Sequence, residues 1–164
     1  MFRQYEQPIC AYLAQLTGDP ARAQELTQET FIRTYRALVR GERWENPRAW
    51  LYRVASRLAT DDYRRRKLLQ WLPLSTVKPN GTHHDIETMV TECVAVQAAL
   101  DMIPPKYRVP LTLYVTEACT VAEIAETLEI SASAVKMRLS RAREKFRQAY
   151  EQENVMPENC HEYV

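Results

Sequence analysis

Six cations, Lys136, Arg138, Arg141, Arg143, Lys145 and Arg147, stand within twelve residues against one carboxylate, Glu144. Guanidinium and ammonium groups in rows at helical spacing neutralise phosphates. At about 100° per residue, Arg138 and Lys145 flank one side of an exposed helix face, and Lys136, Arg143 and Arg147 flank the other. Ser133, Met137, Ser140 and Arg141 point out between the two rows. A helix lying in a major groove has phosphate walls beside it and base edges below it, and this layout predicts such a helix. A second row, Arg53, Arg57, Thr60 and Arg64, repeats at i, i+4, i+7 and i+11, and Arg65-Arg66-Lys67 extends it. Cations in a last helical turn offset the helix dipole. That accounts for residues 64–67 but not for a row beginning at Arg53, so this helix is also expected to meet nucleic acid.

The residue types needed for catalysis or metal binding lack the spacing for it. Cys10, Cys93, Cys119 and Cys160 are far apart and form no CxxC pair, and His83, His84 and His161 add no zinc-ligand spacing. Cys160-His161 and His83-His84 make a metal or redox site only if the tail folds back on the middle of the chain. Asp61-Asp62 is the only acidic pair in the first 69 residues, and adjacent helical residues point in different directions. An enzyme of nucleic-acid processing would want clustered carboxylates or histidines. The expectation is no enzyme activity, no metal and no cofactor.

The elements that position the two basic rows are helices, giving an all-α reading. Residues 120–146 read as two helices and a very tight turn. Val121, Ile124, Ala125 and Leu128 make one apolar face, and Val135, Leu139, Ala142, Phe146 and Tyr150 make the other. Ser131 or Ser133 suits the N-cap between them, and small Ala125 suits close helix crossing. This is a helix-turn-helix pattern, with an acidic first helix (Glu123, Glu126, Glu129). Glu129 stands where a turn often uses glycine, at a cost of about 1 kcal/mol if left-handed.

Upstream, Phe2 to Leu16 forms a helix with Ile9, Tyr12, Leu13 and Leu16 inside. Gly18, Asp19 and Pro20 supply a C-terminal cap, an N-cap and a first helical residue. The second helix, Ala21 to about Val39, turns Ala23, Leu26, Thr27, Thr30, Phe31 and Tyr35 to one side. A polar loop, Arg40 to Pro47, holds Trp44. Asn46-Pro47 starts a third helix reaching about Leu69, with Trp50, Leu51, Val54, Ala55 and Leu58 on its core face. Residues 70–90, broken by Pro73, Pro79 and Asn80-Gly81, read as a flexible linker whose Trp71 and Leu72 could dock on the first domain. Val90 to Ile103 follows, with Val94, Val96, Ala99, Leu100 and Ile103 inside, then a helix from Pro105 to Glu117. The division is thus two small helical domains, 1–69 and 91–150, with a linker at 70–90 and a frayed acidic tail at 151–164.

Charge follows that division. The chain has 164 residues, 46% hydrophobic, with a formal net charge of +1. Residues 1–66 hold twelve Lys/Arg against eight Asp/Glu, while 151–164 hold four Glu and no base. No apolar run approaches the ~18 residues of a membrane span, and the N-terminus has no signal-peptide core. The expectation is a cytoplasmic protein with no membrane insertion.

Three stretches resemble one family. Ala23 to Phe31, AQELTQETF, resembles the second-helix signature of bacterial RNA polymerase sigma factors of the extracytoplasmic-function (ECF) type. Pro47 to Ala55, PRAWLYRVA, with Asp61 and Arg64-Arg65-Arg66, is similar to the helix that reads the −10 element. LDMIPPKYR and AEIAETLEISASAVKMRLSRAREKFR resemble the −35 reading domain. The resemblance spans about residues 2–150. It departs at Glu25, where Asp is usual, at Arg57, where Asn is common, and at Glu129, where the turn has Gly. A first helix starting at residue 2 implies that the extra N-terminal region of housekeeping sigma factors is missing.

The resemblance implies partners and roles. Gln28, Glu29, Arg33 and Arg36 would bind core RNA polymerase (β′ and β subunits), chiefly a coiled coil of β′. Arg43, Trp44 and Asn46 would surround a captured non-template base, and Arg53, Arg57, Thr60 and Arg64 would hold the −10 strand. Ser133, Lys136, Met137, Arg138, Ser140, Arg141 and Arg143 would read −35 duplex. An anti-sigma factor is a further implied partner. The other reading is a one-component regulator with an N-terminal sensor or dimerisation domain and the same helix-turn-helix, but it gives the third helix no reason to be basic.

Overall fold

A computed structural model of the chain describes residues 3–70 and 89–154. Among these residues there are seven helices and no strand: α1 (Arg3–Thr17), α2 (Pro20–Val39), α3 (Pro47–Gln70), α4 (Met89–Asp101), α5 (Pro105–Val115), α6 (Val121–Leu128) and α7 (Ala132–Asn154). Residues 71–88, with Trp71, Leu72 and the His83-His84 pair, lie outside the described residues, as does the tail from 155 with Cys160 and His161.

Local chemistry explains the helix ends. Gly18 takes φ 67° and closes α1 by donating to the Ala14 carbonyl at 2.8 Å. The Asp19 carboxylate then accepts from the Ala21 and Arg22 amides, at 2.9 and 3.2 Å. The Asn46 side chain accepts from the Ala49 amide at 3.1 Å and starts α3. Thr120 and Glu123 form a capping box at the head of α6, and the hydrogen bonds from Thr120 hold the Glu123 carboxyl below the usual range. α6 stops at Glu129, in a left-handed conformation (φ 55°, ψ 46°). The Ile130 amide reaches back to the Ala125 carbonyl at 3.1 Å. Ser131, not Ser133, caps α7, its hydroxyl accepting from the Ala134 amide at 3.2 Å.

α1, α2 and α3 pack as one group, and α4 to α7 as another, with α7 touching each of the other three. The two groups share a core. Ile9, Tyr12, Leu13, Leu51, Tyr52 and Ala55 from the first are continuous with Val109, Leu113, Cys119, Ile124, Val135 and Leu139 from the second. Tyr12 is fully buried, edge-on to Tyr52 with ring centroids at 5.1 Å, and hydrogen bonded to Ser56 at 2.7 Å. Burial pushes its phenol well above the ordinary range.

Four sequence expectations change. Tyr35 is 65% exposed, because the inner seam of α2 runs through Thr30, Thr34 and Ala37 instead. Val94 and Val96 are exposed, because α4 has apolar residues on more than one side and turns Ala99 inward, with Ile103 buried just beyond its end. α5 ends at Val115 rather than Glu117. α7 continues to Asn154, through the first four residues of the expected tail.

A buried cation fixes the two groups against each other. Arg108, on α5, is 3% exposed. Its guanidinium donates to the Leu16 carbonyl at 2.8 Å, the Ile103 carbonyl at 3.1 Å, the Asp101 carbonyl at 3.0 Å and the Asp101 carboxylate at 3.0 Å. It also lies over the Tyr63 ring of α3, at 5.7 Å. Burial lowers its pKa, and Asp101 opposes that. Arg108→Met leaves the buried Leu16 and Ile103 carbonyls and the part-buried Asp101 carbonyl without this donor and is expected to cost about 3 kcal/mol. Urea unfolding followed by circular dichroism measures this. A loss below about 0.5 kcal/mol, the scale of an ordinary surface substitution, would contradict the role given to this cation.

Candidate nucleic-acid interface

α7 carries the first basic row. Val135, Leu139 and Ala142 are buried under it, and Ser133, Lys136, Met137, Ser140, Arg141 and Arg143 are exposed. Two cations lean on α5 rings, Arg143 at 5.3 Å from the Tyr114 centroid and Lys145 at 5.8 Å from that of Tyr107. Such contacts hold long side chains at the edge of the face. Arg138 differs from the pattern expected of it. It is half-buried, its Nε has no hydrogen-bond partner among the described residues, and it lines a cleft of about 500 Å³ between the two helical groups.

α3 forms the opposite wall of that cleft, and its row is split. Arg64 is exposed, with Asp61 3.7 Å away. The Thr60 hydroxyl donates to the Ser56 carbonyl at 2.7 Å. Arg53 and Arg57 instead meet the end of α6. Arg53 donates to the Glu126 carbonyl at 2.8 Å, the Thr127 carbonyl at 3.0 Å and the Glu129 carboxylate at 3.0 Å. Arg57 donates to the second Glu129 oxygen at 2.5 Å. The last carbonyls of a helix lack intrahelical donors and carry its negative dipole end, so Arg53 satisfies both. Nearby, Tyr52 donates to the Glu117 carboxylate and Arg48 to the Glu117 carbonyl at 3.1 Å. Burial, then that carboxylate, raises the Tyr52 phenol pKa. Asp62, buried, receives Arg22 at 2.6 Å and Arg66 at 2.9 Å, which joins α2 to α3.

The loop before α3 brings two tryptophans together. Trp44 stacks on Trp50, centroids 4.4 Å apart and planes 16° from parallel. It is half-buried. Arg43 is exposed and donates to the Glu42 carbonyl at 2.9 Å. Asn46 is occupied as the α3 cap.

On α2, Gln28, Arg33 and Arg36 are exposed, and Glu29 pairs with Arg33 at 2.6 Å. Beside them are three residues that the sequence reading did not place on this face. Ile32, Tyr35 and Val39 are 44, 65 and 68% exposed. Their i, i+3, i+7 spacing was the available signal, a second apolar seam off the inner one.

Residues 1–68 match the sigma-70 region 2 family model, and residues 93–146 match sigma-70, region 4. The chain is 30% identical over 156 residues to the ECF RNA polymerase sigma factor SigE of Mycolicibacterium smegmatis, covering 90% of this chain and 59% of that one. The chain belongs to the ECF group of RNA polymerase sigma factors. It is likewise 27% identical over 160 residues to the ECF sigma factor SigW of Bacillus subtilis, covering 87% of this chain and 83% of the relative. Solved structures share the fold. CnrH in complex with the cytosolic domain of CnrY matches at TM-score 0.68 and 20% identity, over 92% of this chain and 85% of that one. RpoE of Bartonella quintana, in complex with the anti-sigma factor NepR, matches at 0.66 and 17%, over 92% and 94%. A sigma factor directs core RNA polymerase to promoters.

Tyr107 reports on the α7 face. The Arg141 guanidinium beside its hydroxyl, with Lys106 and Lys145, holds its phenol below the ordinary value. Both folded and unfolded forms are protonated at neutral pH, so the shift adds stability only as pH rises past the folded pKa. Site-resolved NMR titration of the full chain should show Tyr107 ionising early, and Arg141→Ala should move it back up. An unmoved Tyr107 would contradict this placement of Arg141.

Proposed function

We propose that this sigma factor divides its work among three outward faces. Gln28, Glu29, Arg33 and Arg36 of α2, with Ile32, Tyr35 and Val39 beside them, dock on core RNA polymerase (its β′ and β subunits). α3 and its preceding loop take the opened −10 strand. Arg53, Arg57 and Arg64 hold phosphates, Thr60 lies along the same face, and Arg43, Trp44 and Asn46 surround a captured base. α7 enters the −35 major groove. Ser133, Met137, Ser140 and Arg141 face base edges, and Lys136, Arg138 and Arg143 face phosphates. Sigma breaks no bond itself. Polymerase supplies the chemistry, and the site of action is the cytoplasm. An anti-sigma protein is a further partner, as in the solved complexes of similar fold.

The observation that carries this reading is the concentration of cations in rows on α3 and α7, against an α2 face on which Arg33 and Arg36 are mixed with Glu29 and with exposed Ile32, Tyr35 and Val39. Run-off transcription with purified core polymerase and a promoter library tests it, and promoter-selective transcripts dependent on this chain are the expected result. Gln28→Ala with Arg33→Glu should reduce co-purification with core at moderate salt while leaving the melting temperature unchanged. Normal co-purification would count against the α2 assignment.

Trp44 separates two roles that one mutation can distinguish. The stack on Trp50 is worth about 0.5–1.5 kcal/mol beyond its buried area, so Trp44→Ala should lower stability modestly. Stacking of one base is worth about 1–3 kcal/mol, so strand opening should fall about tenfold or more. Fluorescence of 2-aminopurine in the −10 non-template strand measures opening, and a promoter pre-melted by mismatches should partly restore it. Wild-type opening by the variant would remove Trp44 from the base pocket.

A further inference from the structure

The carboxylate of Glu129 lies between two arginines of α3, Arg53 and Arg57. One oxygen is 3.0 Å from Arg53 Nη1 and the other 2.5 Å from Arg57 Nη2. A single anion bridging two guanidinium groups one turn apart on α3 has the chemistry of a backbone phosphate. Glu129 reaches that position because it closes α6 in the left-handed conformation, which aims the side chain at α3. The two positions at which this chain departs from the pattern of α3 and of the turn, Arg57 and Glu129, are therefore in contact with each other.

We propose that Glu129 is an internal occupant of the −10 cradle that keeps the free sigma factor from holding single-stranded DNA until polymerase draws the two helical groups apart. The proposal rests on the assignment of Arg53 and Arg57 to the −10 strand. Each of the three guanidinium nitrogens of Arg53 donates to the end of α6, and two of the acceptors are backbone carbonyls. Clearing it requires α6 to move as a body. Among the described residues the Glu129 carboxylate is what holds Arg57, which is itself largely exposed, so removing that carboxylate frees it without moving α6. The same turn leads into α7, so lifting Glu129 off α3 moves the −35 helix away from α3 as well. Binding of either DNA element and the closed packing compete for the same displacement.

Glu129→Gly tests this in the full chain. Glycine suits the left-handed turn, so the variant should fold at least as well as the parent. NMR of the arginine side chains reads the contact without DNA, and the Arg57 guanidinium signals should shift and exchange faster in Glu129→Gly. Affinity of the free protein for a −10 non-template oligonucleotide should rise about threefold to tenfold, the scale of two partly exposed ion pairs. Glu126→Gln removes the same charge one turn earlier and should give a clearly smaller rise. An equal rise in Glu126→Gln would show a general charge effect and overturn the proposal, as would unchanged Arg57 signals in Glu129→Gly. In reconstituted holoenzyme the parent and Glu129→Gly should open one promoter equally well, and an advantage that persisted there would also overturn it. If the Arg57 signals shift but neither protein binds the oligonucleotide, the contact stands and the −10 assignment beneath the proposal fails.

Discussion

The burial of one cation, Arg108, governs how the rest of the molecule is arranged. A guanidinium out of water is stable only where acceptors converge on it. Here they come from the end of α1 at Leu16, the end of α4 at Asp101, and Ile103 in the connection between α4 and α5. Satisfying them places the start of α5 against α1 and, through Tyr63, beside α3. Once α5 is there, Val109 and Leu113 complete the apolar core begun by Tyr12, Leu13 and Leu51. The end of α6 then has nowhere to lie except along the basic face of α3. The polar anchor and the apolar core thus specify the same packing.

Electrostatics along the α6–α7 unit follow from that packing. An acidic α6 before a basic α7 reads, in isolation, as a helix kept away from DNA beside one that enters it. In the folded chain the acidic helix also has a partner. Its C-terminal carbonyls and Glu129 meet Arg53 and Arg57, so the negative end of its dipole and its last carboxylate face the basic row of the other group. The cost of a left-handed glutamate, about 1 kcal/mol, is offset by the same contact.

The helices were legible because their signals are local. Gly18-Asp19-Pro20, Asn46-Pro47 and Ser131 each act within a few residues, and each does so in the structure. The exposed rows of α7 followed from period alone. Period does not say which element covers a face. α4 has apolar residues on more than one side, so Val94 and Val96 could not be told from Ala99 by spacing. Tyr52 and Glu117 are 65 positions apart, and Arg53 and Glu129 are 76 apart. A charge pair at that distance leaves no mark on either local pattern. For the same reason Arg53 and Arg57 read as open cations, Tyr35 was assigned to the inner seam of α2, and Ile32 and Val39 went unnoticed beside it.

The closed packing consumes some faces and spares others, and the difference orders the events of initiation. Arg53 and Arg57 are engaged, and Arg138 is turned into the cleft between the helical groups. The outward face of α2 is untouched by α4 to α7, and it exposes three large apolar side chains in a row. Exposed apolar area is what a protein partner gains by covering, at about 25 cal/mol per Å². On the proposed assignment of faces, the free molecule offers polymerase a ready surface while part of its DNA-facing charge is occupied. Docking through α2 needs no prior opening. Engagement of the −10 strand by Arg53 does, because the end of α6 must leave first. In this scheme polymerase binds before promoter DNA, and the free energy of the α2 contact can be spent on separating the two helical groups.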